Sequence, residues 1–214
     1  MAWNPVVAGR KGDNSASLAT NEKGVPMRGR LIYLIGPSGS GKDSLLHAAR
    51  ERLTAHGCRI AQRVITRSAE ALGEDAIGVA PAEFERLQRA GAFAMSWHAN
   101  GLAYGIPKQI DDWLAAGQDV LVNGSRAYLR EARQRYPELI GIVLVVDVEA
   151  LRERLRKRGR ETPEQIEQRL ARNALFNDAA AVEVDGLHLL DNSSHLEQAV
   201  DQLLALLETA RAGL

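Results

Sequence analysis

The 214-residue sequence predicts an α/β fold, a parallel sheet with helices on both faces. Three observations point there. The runs "RLIYLIG" (Arg30 to Gly36), "QDVLVNG" and "LIGIVLVVDV" are apolar nearly throughout, as strands buried on both faces are. Stretches of helical spacing alternate with them. The first run leads through "GPSGSGKDS" into a helical pattern, the strand-loop-helix context of a phosphate-binding loop.

The opening "MAWNPVVAGRKGDNSASLATNEKGVP" lacks a long apolar stretch and is rich in small and polar residues, so residues 1–27 are expected to be a flexible extension, with Met27 an alternative start. Residues 28–212 then form a single domain. After the loop, "DSLLHAARERLTAHG" sets Leu45, Leu46, Ala49 and Leu53 on one helical face. "RIAQRVITR" reads as one strand, with Arg63 a surface residue on it. "PAEFERLQRAG" opens with Pro81 and closes with Gly91, the asymmetry of a short helix. "FAMSWHANGLAYG" reads as two extended pieces turning at Asn100 and Gly101. "SRAYLREARQRY" reads as a helix capped by Ser125. Glu149 to Arg158 and Pro163 to Phe176 are basic helical stretches around "RGRETP", "LHLLDN" is a last strand, and Ser193 to Ala210 a terminal helix.

Twenty-seven basic and 27 acidic residues cancel, so no global field draws the chain to nucleic acid or to an anionic membrane. Any anion site must be built locally. The longest apolar run, Leu139 to Val146, falls far short of the ~20 residues a membrane helix needs. A single cysteine, Cys58, excludes an internal disulfide, and no Cys and His cluster has zinc spacing, which fits a reducing, cytoplasmic setting. The oligomeric state stays open, a homodimer among the options.

In the loop each part has a task. Gly36, Gly39 and Gly41 let successive N–H groups turn inward, the following helix offers its positive end, and Lys42 neutralises phosphate charge. Gly36, Pro37, Ser38, Gly39, Ser40, Gly41, Lys42, Asp43 and Ser44 are therefore expected to hold ATP. Asp43 is unusual, because a Ser or Thr hydroxyl normally follows the lysine and reaches Mg²⁺. An acid there suits the helix dipole while Ser44 or water serves the metal, or its carboxylate is itself a ligand. Asp43 and Ser44 are the candidate metal residues.

From Arg30 to about Leu207 the chain resembles the guanylate kinase group of P-loop nucleoside monophosphate kinases. The pieces that match are "GPSGSGK", "ITR", "EFERLQRAGAF", the "YG" of Tyr104 and Gly105, "GQDVL" and "RLRKRGRETPEQIEQRLARNA". The resemblance implies an acceptor lobe at about 65–106 and a lid at about 156–170. It also implies that Arg154, Arg158 and Arg169 join Lys42 as catalytic residues, and that Arg67 holds an acceptor phosphate. The acceptor side departs from the group. Met95 stands where a Glu reads guanine, Ile106 where a hydroxyl follows "YG", Ala76 where a tyrosine contacts phosphate, and the second arginine of "TRxPR" is missing. Asn123 and Ser125 replace acids at the end of "DVLVNGS", while an acid has appeared at Asp43. This predicts a relocated carboxylate and a pocket that reads no base.

Together with "GPSGSGKDSLL", "VITR", "MSWHANGLAYG" and "DVLVNGSRA", these departures resemble one branch of the group, the ribose 1,5-bisphosphate phosphokinases. The resemblance implies Mg²⁺- and ATP-dependent phosphorylation of a small sugar phosphate, ribose 1,5-bisphosphate, to 5-phospho-α-D-ribose 1-diphosphate in phosphonate catabolism. Arg67, Trp97, His98, Asn100, Tyr104, Asn123 and Arg126 are the acceptor-binding candidates. Two alternatives stand beside it: a guanylate kinase or other nucleotide or sugar-phosphate kinase, and a catalytically silent guanylate-kinase-like binding module. Lys42 and the lid arginines weigh against the second.

Overall fold

The computed structural model describes residues 28–66, 76–159, 161–182 and 186–212. The expected extension at 1–27, and Arg67, lie outside them. Strand β1 (Leu31–Ile35) is wholly buried because its side chains feed two cores. Ile32 and Leu34 face helices α1 (Lys42–Ala55) and α7 (Leu196–Ala212), packing with Leu45, Leu53, Val200 and Leu203. Leu31, Tyr33 and Ile35 face α3 (Gln109–Ala115) and α4 (Leu129–Arg135), packing with Ile110 and Leu129. A strand that alternates between two cores has no polar face, which is why the sequence shows an unbroken apolar run.

The large sheet is parallel, in the order β2 (Cys58–Ile60), β7 (Asp119–Asn123), β1, β8 (Ile140–Val145), β9 (Leu187–Asp191). Strands β1 and β7 start together at a buried fork, in which Arg30 Nη2 lies 2.7 Å from Asp119 Oδ2 and the Arg30 N–H donates to Oδ1 at 2.8 Å. The chain leaves β1 for the β2 side and later crosses β1 to reach β8, so a crevice opens at the carboxyl ends of β1 and β7. The glycine loop and the segment after Asn123 both start there.

A second, four-stranded sheet has the order β4 (Ala76–Gly78), β3 (Arg63–Ile65), β6 (Leu102–Pro107), β5 (Phe93–Ala99), with α2 (Pro81–Arg89) against it. The expected single strand "RIAQRVITR" is thus two strands in two sheets. Ala61 makes its last bond to the large sheet through Leu121, and from Val64 onward the chain pairs with β6. No glycine or proline marks that break. Strands β5 and β6 form the expected hairpin, with Asn100 (φ 51°) and Gly101 (φ 74°) both left-handed, as a two-residue turn requires.

The helix expected at Ser125 instead opens with a 3₁₀ turn, Arg126–Tyr128, and the Ser125 side chain caps nothing. Its backbone has another partner: the Tyr33 hydroxyl donates to the Ser125 carbonyl and accepts from its N–H, both at 3.0 Å. Burial pushes the Tyr33 phenol well above its ordinary range, so it stays a neutral donor. Helices α5 (Val148–Arg158) and α6 (Pro163–Val182) share a small core of Leu151, Leu155, Ile166 and Leu170. Helix α5 is capped by Asp147, whose carboxylate accepts from the N–H groups of Glu149 and Ala150. Among the described residues no helix is long and apolar enough to cross a membrane.

Candidate active site

The crevice at the strand ends is a cleft of roughly 1530 Å³, bounded by the glycine loop, the end of β7 and the hairpin sheet. In the loop, Gly39 (φ 90°) and Gly41 (φ 92°) take conformations that side chains resist. A Cβ at Gly41 would lie 2.7 Å from Asn192 Nδ2, and one at Gly36 2.9 Å from the Leu144 carbonyl. Asn192, buried after β9, explains the tight fit at Gly41, since its amide donates to the Ser40 carbonyl at 2.7 Å and fixes the loop from beneath. Ser40 is fully buried under the loop, whereas Gly36, Pro37, Ser38, Gly39, Gly41, Lys42, Asp43 and Ser44 line the cleft. Lys42 Nζ donates to the carbonyls of Gly36 (2.8 Å) and Pro37 (3.0 Å), which places its charge inside the curl of the loop.

Asp43 and Asn123 lie 80 residues apart in the chain, yet the Asn123 amide donates to Asp43 Oδ1 at 3.2 Å. Asn123 is 4% exposed, and its Oδ1 has no hydrogen-bond partner among the described residues. The amide N–H of Asn123 thus faces Asp43, which lines the cleft and offers the carboxylate oxygen that a hard divalent cation takes. Ser44, exposed, lies in the same first turn. Arg63, expected to be a surface residue, is 11% exposed at its side chain and lies 3.9 Å from Asp43 Oδ1.

The basic helices bring arginines to the loop from the other side. Arg169 Nη1 donates to Ser38 Oγ at 3.0 Å, with its other edge held by Glu161 at 2.6 and 2.9 Å. Arg154 Nη1 is buried, has no hydrogen-bond partner among the described residues, and lies 3.9 Å from where a Cβ on Gly41 would sit. Arg158 and Arg172 line the cleft itself.

On the far wall, Trp97 and Tyr104 are cross-strand partners whose rings stack at 5.7 Å, and Trp97 stacks in turn on Tyr128 at 5.6 Å. Trp97, Asn100, Tyr104, Asn123 and Arg126 all line the cleft. His98 does not: it follows Trp97 on β5, and the pleat turns it outward, where it is exposed. Met95 and Ile106 are 1% and 0% exposed in the core beneath the wall and present no hydrogen-bonding group to the cleft. Sequence reasoning did not single out Arg130, Arg133 or Arg172, each of which reaches the lining from a helix. Helical spacing from Arg126 to Arg130 and Arg133 was the available signal.

A glycine-loop cradle at the carboxyl edge of a parallel sheet, facing an arginine-rich second wall, defines a P-loop phosphotransferase. Residues 32–174 match the family described as AAA domain. A guanylate kinase from Anaplasma phagocytophilum shares the fold, with a TM-score of 0.65 at 19% identity over 86% of each chain. The chain is 66% identical to a protein from Pseudomonas paraeruginosa named ribose 1,5-bisphosphate phosphokinase PhnN, over 87% of this chain and 99% of that one. It is 63% identical to the protein of the same name from Pseudomonas fluorescens, over 85% and 96%. The chain belongs to the ribose 1,5-bisphosphate phosphokinase family.

Proposed function

We propose that the protein transfers the γ-phosphoryl group of ATP to the 1-phosphate of ribose 1,5-bisphosphate, giving ADP and 5-phospho-α-D-ribose 1-diphosphate within phosphonate breakdown in the cytoplasm. The observation that carries this reading is the character of the second wall. It offers arginines and aromatic faces, while the positions that would read a purine, Met95 and Ile106, are buried apolar residues. An acceptor with two phosphates and no base fits such a wall, and the name of the Pseudomonas paraeruginosa relative agrees with it.

An oxygen of the 1-phosphate attacks the γ-phosphorus as the bond to the β,γ-bridging oxygen breaks, and ADP departs with that electron pair. A phosphate oxygen is ionised near neutral pH, so the step needs no general base, in keeping with His98 facing outward. The demand on the protein is to position the two substrates and offset their charge. Loop N–H groups and Lys42 hold the donor phosphates, Arg154, Arg158 and Arg169 close on the transferred group, and Arg67 and Arg126 take acceptor phosphates. The hairpin sheet acts as the acceptor lobe and the α5–α6 turn as the lid. Asp43, with Ser44 or Asn123 beside it, would hold Mg²⁺, which offsets charge on the β- and γ-oxygens when bound. Mg²⁺ at such sites is held by one or two carboxylates together with substrate phosphates and water.

The test is ADP release with Mg·ATP and either ribose 1,5-bisphosphate or GMP, with the diphosphate identified as product. Turnover of the sugar and little of GMP supports the reading. Preference for GMP overturns it, and silence with both returns the chain to the class of binding modules. Within this mechanism Arg158→Ala lowers kcat by at least about tenfold while substrate affinity moves little, because the contact is made to the transition state. A wild-type kcat would remove Arg158 from the lid's catalytic set.

A further inference from the structure

We infer that Arg63 is a catalytic residue of the acceptor side, binding the reacting phosphate of the acceptor and presenting it to the transferred phosphoryl group. This deepens the ribose 1,5-bisphosphate reading and rests on it. Arg63 belongs to β3 of the hairpin sheet, but its guanidinium reaches across to the large sheet. Nη1 lies 3.4 Å from the Asn123 carbonyl at the end of β7, and Nη2 lies 3.9 Å from Asp43 Oδ1 in the first turn of α1. Its Cζ lies 5.5 Å from the centre of the Tyr104 ring. One cation therefore adjoins the donor loop, the sheet end and the acceptor wall, and it lines the cleft between them.

A phosphate matches the planar fork of the Arg63 guanidinium, and the ring of Tyr104 supports the cation from one face.

Position supplies the catalytic role. The acceptor phosphate must arrive in line with the γ-phosphorus, hence beside Lys42 and Asp43, and it brings negative charge toward negative charge. Arg63 stands at that meeting point and offsets the repulsion.

The test compares wild type with Arg63→Gln and Arg63→Lys, in full-length protein, by calorimetric titration of Mg·ADP and by steady-state kinetics with ribose 1,5-bisphosphate. Glutamine retains an amide donor for the Asn123 carbonyl, so Mg·ADP affinity stays within about twofold. The kcat/KM for the acceptor falls by about 10- to 100-fold in Arg63→Gln, and by a smaller factor in Arg63→Lys, which keeps charge without the fork. An acceptor kcat/KM near wild type in a variant that binds Mg·ADP normally overturns the inference, and so does a parallel loss of both substrates, which marks a structural role. Should Arg63→Gln fail to fold, Arg63→Lys decides alone by the same two readouts. A wild-type enzyme that ignores the sugar bisphosphate removes the functional reading and this inference together, whereas normal wild-type turnover with an unaffected Arg63→Gln removes the inference only.

Discussion

Replacing Lys42 with methionine is expected to lower kcat with Mg·ATP by on the order of 10²–10³-fold, the cost typical of removing one preorganised group from a developing anion. The lysine starts α1 and turns back into the loop, bonded to the Gly36 and Pro37 carbonyls. Those bonds hold the ammonium in the curl of the loop, and on the proposed reading the β- and γ-phosphates arrive there, so little reorganisation is needed. Methionine has a similar stem and no charge, and the two carbonyls it abandons edge an open cleft where water replaces the lysine. Thermal stability should therefore change little. The ADP-release assay, run beside a melting curve, separates the outcomes: a fall of less than about fivefold in a well-folded variant would show that the loop N–H groups and the arginines suffice.

Lys42 was legible because its loop makes demands on the backbone that few sequences meet. Glycines at 36, 39 and 41 and a lysine at 42 announce their geometry, and Gly39 and Gly41 do take the left-handed conformation. The parallel sheet was legible for a similar reason, since strands feeding two cores cannot hide their composition. What stayed hidden depends on contacts across the chain. A lone arginine on a three-residue strand carries no sign of facing in or out, so Arg63 read as a surface residue although it lies across the cleft. The clamp of Tyr33 on Ser125, which displaces the expected Ser cap, joins residues 92 apart. Helix α3 was missed despite Asp111 and Asp112 in its first turn and Gly117 just beyond its end at φ 76°, signals that were present but unread. Arg67 is named only by the resemblance.

Between these extremes lies the pair Asp43 and Asn123. Set against the guanylate kinase resemblance, the sequence has an acid gained in the loop and one lost at the end of "DVLVNGS", and the structure brings the Asp43 and Asn123 side chains within 3.2 Å. If the site needs one carboxylate and either position can supply it, Asp43→Ser raises the Mg²⁺ concentration for half-maximal activity by about 10- to 100-fold, the range seen when metal-site partners are removed. Asn123→Asp alone sets two carboxylates side by side. Like charges so close cannot both ionise freely, so one carboxyl keeps its proton to higher pH and the variant needs more alkaline buffer to load the metal. Combining Asp43→Ser with Asn123→Asp returns a single acid to the site, and with it much of the lost Mg²⁺ affinity, beyond what the single changes would give by addition. Activity across an Mg²⁺ series at several pH values reads all three variants. Asp43→Ser with normal Mg²⁺ dependence would reduce Asp43 to a favourable charge at a helix start, and a double variant no better than Asp43→Ser would show that the carboxylate must come from the loop.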